Sequence, residues 1–171
     1  IYVLGETANE LGASEFYESF HRTGLNVPHV DCDKFKVVYK AIQTAIEKGL
    51  VASCHAVGRG GLGIHLSYMA MAGGLGLEID LKKLPANESR GRLVTETLLF
   101  SESAGRFIVT IAQEKRSVFE KLFKGVAARC IGSVTDLHDH LKITGMNREI
   151  VADLSIHELD QAFNKTFGDM I

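Results

Sequence analysis

Hydrophobic and polar residues alternate along the chain with two different periods. Apolar positions spaced by three and four residues are typical of helices, whereas short apolar runs or a period of two are typical of strands. The helical period predicts helices at 14–21, between a cap at Asp31 or Asp33 and Gly49, from 62 to the pair Gly73-Gly74, at 93–99 and 113–124, and from Ser155 through Phe167. The strand patterns predict strands at 1–4, 50–54, 75–81, 106–112 and 128–134.

Two local motifs near the end of the chain add detail. Residues 141–143 and 149–152 are strand-like and flank Gly145-Met146-Asn147, which predicts a hairpin and therefore a mixed sheet. Ser155 and Glu158 have the spacing of a capping box, which predicts the start of the last helix.

These elements predict one α+β domain over residues 1–171, with an N-terminal strand and arm at 1–30 and a core at 31–171. We expect about four or five helices to cover a layered, mixed β-sheet of about six strands. The chain begins with Ile1 and has no initiator Met, so we expect a fragment of a longer multidomain chain.

Composition and charge limit the kinds of partner that this chain is expected to bind. Hydrophobic residues make up 46% and charged residues 23% of its 171 positions, which is typical of a globular protein. The net charge of -2 predicts no binding to nucleic acid or to a membrane, and no apolar run reaches the roughly 18 to 20 residues that span a bilayer. Three widely spaced cysteines and the lack of a secretory leader favour a cytoplasmic location.

A glycine-rich turn joins a predicted strand to a predicted helix, in the stretch SCHAVGRGGLG at 53–63. Glycines permit positive φ, and the start of a helix offers unpaired N–H groups and a partial positive charge. We expect the amides of Gly58, Gly60 and Gly61 to bind a phosphate or another anion with the guanidinium of Arg59. His55 either contacts the same anion or is a structural histidine.

The turn also satisfies the G-x-G-x-x-G pattern of dinucleotide-binding proteins, with Asp80 about twenty residues on as a candidate ribose ligand. Three features weigh against this alternative. The motif lies in the middle of the chain, Asp80 lies on the polar side of its strand, and a repeated parallel βα pattern is missing. A turn with a purely structural role remains a further alternative.

Other candidate groups give weaker signals. Ser101 and Glu102 lie in a predicted turn, where their residue types favour a local hydrogen-bonding cluster. His138 and His140 share one strand face but lack a third ligand, so we expect no metal site. No residue of the chain is predicted to be catalytic.

Several stretches, in order over positions 1–167, resemble the last synthetase domain of the phosphoribosylformylglycinamidine synthase family. They are GET at 5–7, ELG at 10–12, SCH at 53–55, AGGLGLEIDL at 72–81, LLFSES at 98–103 and IGSVT at 131–135. The resemblance implies the fold of the AIR synthase-related C-terminal domain.

The same resemblance implies a place in purine biosynthesis. Members of this family are ATP-dependent ligases that convert an amide to an amidine through an iminophosphate, with magnesium on the ATP phosphates. Ammonia comes from a glutaminase partner, and a small accessory subunit or domain takes part. The resemblance implies that this chain packs with upstream domains, contributes scaffold and part of an auxiliary nucleotide or phosphate site, and does not turn over substrate alone. As an alternative to the local cluster, it also suggests that Ser101 and Glu102 support the glycine turn.

The chain departs from the family pattern at the glycine turn. The family usually has His-Asp-x-Ser-x-Gly-Gly-Leu, whereas here Ala56 replaces the acid, Gly58 replaces the serine, and Arg59 stands where an acidic or polar residue is common. These changes predict a preference for bare anions. They also leave open a non-catalytic interaction domain whose ligand site has degenerated.

Overall fold

The computed structural model describes residues 1–165 and contains ten strands and six α-helices in that range. The strands are β1 (Tyr2–Leu4), β2 (Thr7–Ala8), β3 (Ser53–Val57), β4 (Gly76–Asp80), β5 (Ala86–Asn87), β6 (Arg106–Thr110), β7 (Ala128–Cys130), β8 (Gly132–Thr135), β9 (His140–Thr144) and β10 (Ile150–Ser155). The α-helices are α1 (Glu15–Glu18), α2 (Cys32–Glu47), α3 (Gly61–Gly73), α4 (Thr95–Phe100), α5 (Arg116–Leu122) and α6 (Ile156–Asn164). Phe167, predicted in the last helix, lies outside the described residues.

The strands form two four-stranded sheets and one two-stranded pair. The first sheet has the antiparallel order β3-β6-β1-β7. The second has the order β10-β9-β4-β8 and is mixed, because β4 and β9 run parallel. Strands β2 and β5 form a short parallel pair. The α+β class and the mixed pairing are confirmed, but the prediction of one six-stranded sheet is wrong.

The error lies at Ile131, within the single strand predicted at 128–134. The N–H of Ile131 donates to the carbonyl of Ile1, beside the first sheet, and its carbonyl accepts from the N–H of Asp80, in the second sheet. Ile131 itself is fully buried. The extended chain therefore leaves one sheet and enters the other at this residue.

Two hydrophobic clusters form the core, and β1 contributes to both. Val3 belongs to the cluster that contains α3, α4 and the second sheet, whereas Tyr2 and Leu4 belong to the cluster beneath α2 and α5. Neighbouring side chains of a strand point to opposite faces, so a three-residue strand in the middle of a sheet can supply both clusters.

The end of α2 explains why the next strand begins later than predicted. The N–H groups of Gly49 and Leu50 donate to the carbonyls of Ile46 and Ala45, which is the pattern that closes a helix at a left-handed glycine, and Gly49 has φ +62°. Leu50 is thus part of the helix end, and β3 starts at Ser53. Most of β3 is exposed because it is an edge strand, which corrects the buried strand predicted at 50–54.

The two motifs near the end of the chain are confirmed. Strands β9 and β10 pair antiparallel as the predicted hairpin. Asp31, rather than Asp33, is the N-cap of α2, and the Ser155–Glu158 capping box opens α6. Within residues 1–165, no helix has both the length and the apolar character needed to cross a bilayer. The division into an arm at 1–30 and a core at 31–171 stays a prediction.

Candidate functional site

The glycine turn lies between the edge strand β3 and the first turn of α3. Gly60 and Gly61 have φ of +84° and +73°, a conformation that favours glycine. A Cβ on Gly61 would lie 2.7 Å from the backbone of Leu99 and Phe100, so this glycine lets α3 pack closely on α4. A Cβ on Gly58 would meet only Nε2 of His65, at 3.7 Å. The open side of the turn is therefore at Gly58.

Each of the three amides predicted to bind an anion has an acceptor within the chain. Gly58 N–H donates to Nε2 of His65 at 2.9 Å, and Gly60 N–H donates to Oε1 of Glu102 at 2.8 Å. Gly61 N–H donates to the carbonyl of Gly58 at 3.1 Å, which closes the turn. An incoming anion would have to replace the imidazole at Gly58 and the carboxylate at Gly60.

The charged group of the turn is largely in solvent. The side chain of Arg59 is 79% exposed, and its guanidinium pairs with Glu15, at the start of α1. Exposed ion pairs contribute little free energy, so the guanidinium can change partner at small cost.

His55 and His65 form a pair of imidazoles behind the turn. Nε2 of His55 lies 2.6 Å from Nδ1 of His65, and the ring centroids are 4.9 Å apart. The pKa of His65 is lowered below its ordinary value, mainly because the ring is desolvated by burial and secondly because His55 is near. The ring is therefore neutral at neutral pH. His55 therefore reaches the turn through His65. Sequence reasoning missed His65, whose only signal is its position one turn into α3.

Ser101 and Glu102, predicted as supporting residues, point to different neighbours. One oxygen of Glu102 accepts from Gly60 N–H and also from Glu15 N–H at 2.9 Å, so it joins the glycine turn to α1. Ser101 is fully buried and bonds to the arm, where its Oγ donates to the carbonyl of Ala8 at 2.7 Å. Glu102 alone of the two contacts the glycine turn.

Arg106 is a buried cation that sequence reasoning did not single out as a site residue. It is 1% exposed and donates to the carbonyls of Ser101 and Ser103 and to Oγ1 of Thr7. Burial lowers the pKa of Arg106 to about 10, with Glu10 and Glu102 acting in the opposite direction, so it stays charged at neutral pH. Through its bond to Thr7, Arg106 holds the N-terminal arm against β6.

The remaining candidates lie elsewhere. Asp80 accepts from the N–H of Lys82 at 3.0 Å and pairs with Lys83. Because β3 and β4 belong to different sheets, the segment does not form the parallel βαβ unit that the dinucleotide alternative requires.

His138 and His140 contact different carboxylates, those of Glu78 and Asp153, at 3.3 and 2.7 Å. Over residues 1–165, no group of three or more His, Cys, Asp or Glu side chains is arranged to hold a metal ion. This stretch of the second sheet therefore offers no ligand set for a cation.

Comparison with known families identifies one match. The family described as "AIR synthase related protein, C-terminal domain" matches residues 1–143. Phosphoribosylformylglycinamidine synthase subunit PurL of Methanocaldococcus jannaschii is 33% identical over 172 residues, which cover 100% of this chain and 22% of that protein. The PurL subunit of Thermococcus sibiricus is 37% identical over 154 residues, which cover 88% of this chain and 20% of that protein. The chain thus spans about a fifth of the length of these relatives.

Solved structures show the same fold. Thermotoga maritima PurL complexed with FGAR superimposes with a TM-score of 0.78 at 22% identity, over 92% of this chain and 27% of that one. The complex of the same protein with ADP gives a TM-score of 0.70 at 20% identity, over 92% of this chain and 24% of that one. Escherichia coli HypE gives 0.63 at 21% identity, over 91% of this chain and 49% of that one.

Proposed function

Since the chain belongs to the AIR synthase related protein, C-terminal domain family, we propose that it is such a domain of a phosphoribosylformylglycinamidine synthase synthetase subunit. The PurL relatives that align with all or most of the chain support this assignment. On this proposal the chain acts with upstream domains of the same polypeptide, with a glutaminase and with a small accessory subunit, in the cytoplasm. A solved relative described as PurLQS from Thermotoga maritima supports the existence of such partners.

The proposed parent enzyme is an ATP-dependent ligase of purine biosynthesis. ATP would phosphorylate the amide oxygen of formylglycinamide ribonucleotide, and ammonia would displace phosphate from the iminophosphate to give the amidine. Solved relatives complexed with FGAR, ADP and ATP support this choice of substrates. The chain itself would supply scaffold rather than a catalytic residue.

Magnesium does not fit the described residues, 1–165, of this chain. Residues 1–165 offer no cluster of three or more carboxylate, imidazole or thiolate groups for a cation, and Ala56 stands where the family usually has an acid. Magnesium in the parent enzyme would therefore be held by ATP and by groups outside residues 1–165.

We propose that the glycine turn of this domain is one wall of an auxiliary nucleotide or phosphate site. The observation that carries this role is the start of the 13-residue helix α3, with Gly58 open at its edge and the exposed Arg59 guanidinium beside it. A phosphate would exchange with the Glu102 carboxylate at Gly60 N–H. Arg59 would leave Glu15 for the stronger negative charge.

A second candidate is an interaction domain whose ligand site has degenerated. The observation that favours it is the internal pairing of the three turn amides, with His65, Glu102 and the Gly58 carbonyl. On this alternative, Glu102 permanently takes the position of the anion, and the turn serves only to dock α1 and α4 on α3.

Calorimetric titration of the purified chain with ATP, ADP, phosphate and NAD, each with and without magnesium, separates these candidates. If the turn is an anion site, phosphate or ADP binds, and Arg59→Ala weakens binding at least about threefold. Arg129→Ala is the matched control, because Arg129 is an exposed arginine on β7, at the edge of the sheet opposite β3.

Lack of binding by every ligand would support the interaction domain. Binding of NAD alone would favour the dinucleotide alternative over both. Equal loss of phosphate binding in Arg59→Ala and Arg129→Ala would mean that the anion lies elsewhere on the domain.

A further inference from the structure

His65 contacts the glycine turn from inside, and its two ring nitrogens have different partners. Nε2 lies 2.9 Å from the amide nitrogen of Gly58 and 3.2 Å from the carbonyl oxygen of Arg59, while Nδ1 lies 2.6 Å from Nε2 of His55. A backbone N–H can only donate, so Nε2 of the neutral ring accepts from Gly58 and its hydrogen is on Nδ1. Nδ1 therefore donates to Nε2 of His55, whose own hydrogen is on its Nδ1.

Only one position can receive an added proton while the two rings stay hydrogen-bonded. If the charge resides on His65, the proton is on Nε2 of that ring. If it resides on His55, Nε2 of His55 donates back to Nδ1 of His65, and the hydrogen of the neutral His65 ring moves to its Nε2. In either case Nε2 of His65 gains a hydrogen and can no longer accept from Gly58.

We propose that His65 is a proton-operated latch on the glycine turn, which holds the Gly58 amide when neutral and releases it when the histidine pair takes up one proton. The new Nε2–H has an acceptor in place, because the carbonyl of Arg59 lies 3.2 Å away. The released amide and the added positive charge both favour an anion at Gly58, so proton uptake and anion binding are linked. This linkage rests on the proposed anion contact, whereas the latch itself does not.

Charged and polar groups from several elements surround the ring. They are His55 on β3, Arg59 in the turn, Tyr68 on α3, Glu102 after α4, Arg106 on β6 and, through its pair with Arg59, Glu15 on α1. Burial opposes protonation most strongly, followed by His55, and Arg106 acts in the same direction, whereas the Arg59 carbonyl and Glu102 favour it. The pKa of His65 is lowered as a result, so the latch is closed at neutral pH and opens on acidification.

The latch is tested by nuclear magnetic resonance on the full chain labelled with ¹⁵N. On lowering the pH from about 7.5 to about 5, the Gly58 amide and the His65 ring nitrogens should shift with one common midpoint. In His65→Gln the side-chain oxygen still accepts from Gly58 but does not titrate, so the Gly58 shift should disappear. His157→Gln is the matched control, because His157 is an exposed histidine on α6 that contacts Gln161.

A Gly58 amide that does not respond while His65 titrates would overturn the latch. So would a Gly58 response that persists in His65→Gln. A response in wild type and in His157→Gln, lost in His65→Gln, supports it.

Sulfate is the probe for the linkage, because its charge is constant over the pH range in which histidine titrates. The charge of phosphate changes over the same range. Above the pKa of His65, where the latch is closed, sulfate affinity should rise by up to about tenfold for each pH unit of acidification and then level off below that pKa. This dependence should vanish in His65→Gln. Sulfate that binds with equal affinity at pH about 7.5 and pH about 5 would overturn the linkage. An intact latch with no sulfate binding at any pH would uphold the latch and contradict the anion contact of the proposed function.

Discussion

Two arginines that flank the candidate site use the same guanidinium group in opposite ways. Arg106 is 1% exposed and donates to two carbonyls and a hydroxyl, whereas the Arg59 side chain is 79% exposed and meets one carboxylate. The partners of Arg106 are neutral and buried, so its hydrogen bonds are available only in the folded protein. The partner of Arg59 is a surface group that water or another anion can replace.

The contrast separates stability from binding within one small region. Arg106 joins the arm at Thr7 to the turn before β6, and its loss would leave several buried acceptors unpaired. Arg59 projects from the turn between β3 and α3, and its loss would leave Glu15 in water. We therefore expect substitutions at Arg106 to destabilise the domain and substitutions at Arg59 to change its affinity for anions.

The buried arginine gives the strongest test of this contrast. Arg106→Met keeps much of the apolar stem but removes all three donors, and we expect it to lower the free energy of unfolding by about 3–4 kcal/mol. Urea denaturation followed by circular dichroism measures the change. Arg129→Met, on an exposed strand position, is the control and should change stability by less than about 0.5 kcal/mol. A loss of less than about 1 kcal/mol at Arg106 would contradict its structural role.

Two glycines of the turn sharpen the comparison at the backbone. Gly61→Ala forces a side chain into a left-handed conformation and into the backbone of Leu99 and Phe100, so we expect a loss of about 2–3 kcal/mol. Gly58→Ala meets only the tip of His65 and should change stability by less than about 0.5 kcal/mol. Equal effects in urea denaturation would mean that the packing of α3 on α4 does not depend on Gly61.

Substitution of Glu102 should have an intermediate effect on stability, because its carboxylate caps backbone N–H groups inside the domain. Glu102→Ala removes the acceptor of both Gly60 N–H and Glu15 N–H, and we expect a loss of about 1–2 kcal/mol. Glu102→Gln keeps an acceptor oxygen and should lose less than half of that. The same two variants report on the site, because phosphate binding that improves in Glu102→Ala would identify Glu102 as a competitor of the anion.

Arg59→Ala is expected to have the smallest effect on folding. An exposed ion pair contributes less than about 0.5 kcal/mol, so the urea midpoint should stay nearly unchanged at any salt concentration. A loss above about 1 kcal/mol would show that the pair with Glu15 holds α1 in position, and Arg59 would then be a second structural arginine.

Local features of the fold could be predicted from sequence because their determinants lie a few residues apart. The capping box at Ser155 and Glu158, the β9–β10 hairpin and the order of strand, glycine turn and helix are examples. The contacts that pair the amides of the glycine turn and hold its neighbours in place are not local in sequence. Glu102 reaches Gly60 across 42 residues, and Arg106 reaches Thr7 across 99. Periodicity and residue type indicate neither contact, and only the family resemblance suggests that Glu102 supports the turn.

The limits of periodicity also explain the two errors in the sheet. An apolar run predicts an extended, shielded chain, but it does not tell which neighbours the chain pairs with. The apolar residues within 128–134 predict one strand, although Ile131 divides the stretch between two sheets. Leu50 fits a strand pattern too, although its N–H is needed to close α2.

The division of the chain at Ile131 affects how the domain unfolds. Strands β7 and β8 belong to different sheets but are joined by a single residue, and β1 sends Val3 to one hydrophobic cluster and Tyr2 and Leu4 to the other. The sheets therefore cannot separate without straining the one-residue link at Ile131 and pulling Val3 out of the cluster that it shares with the second sheet. The two halves of the core should consequently melt as one cooperative unit, with a single transition for every spectroscopic probe.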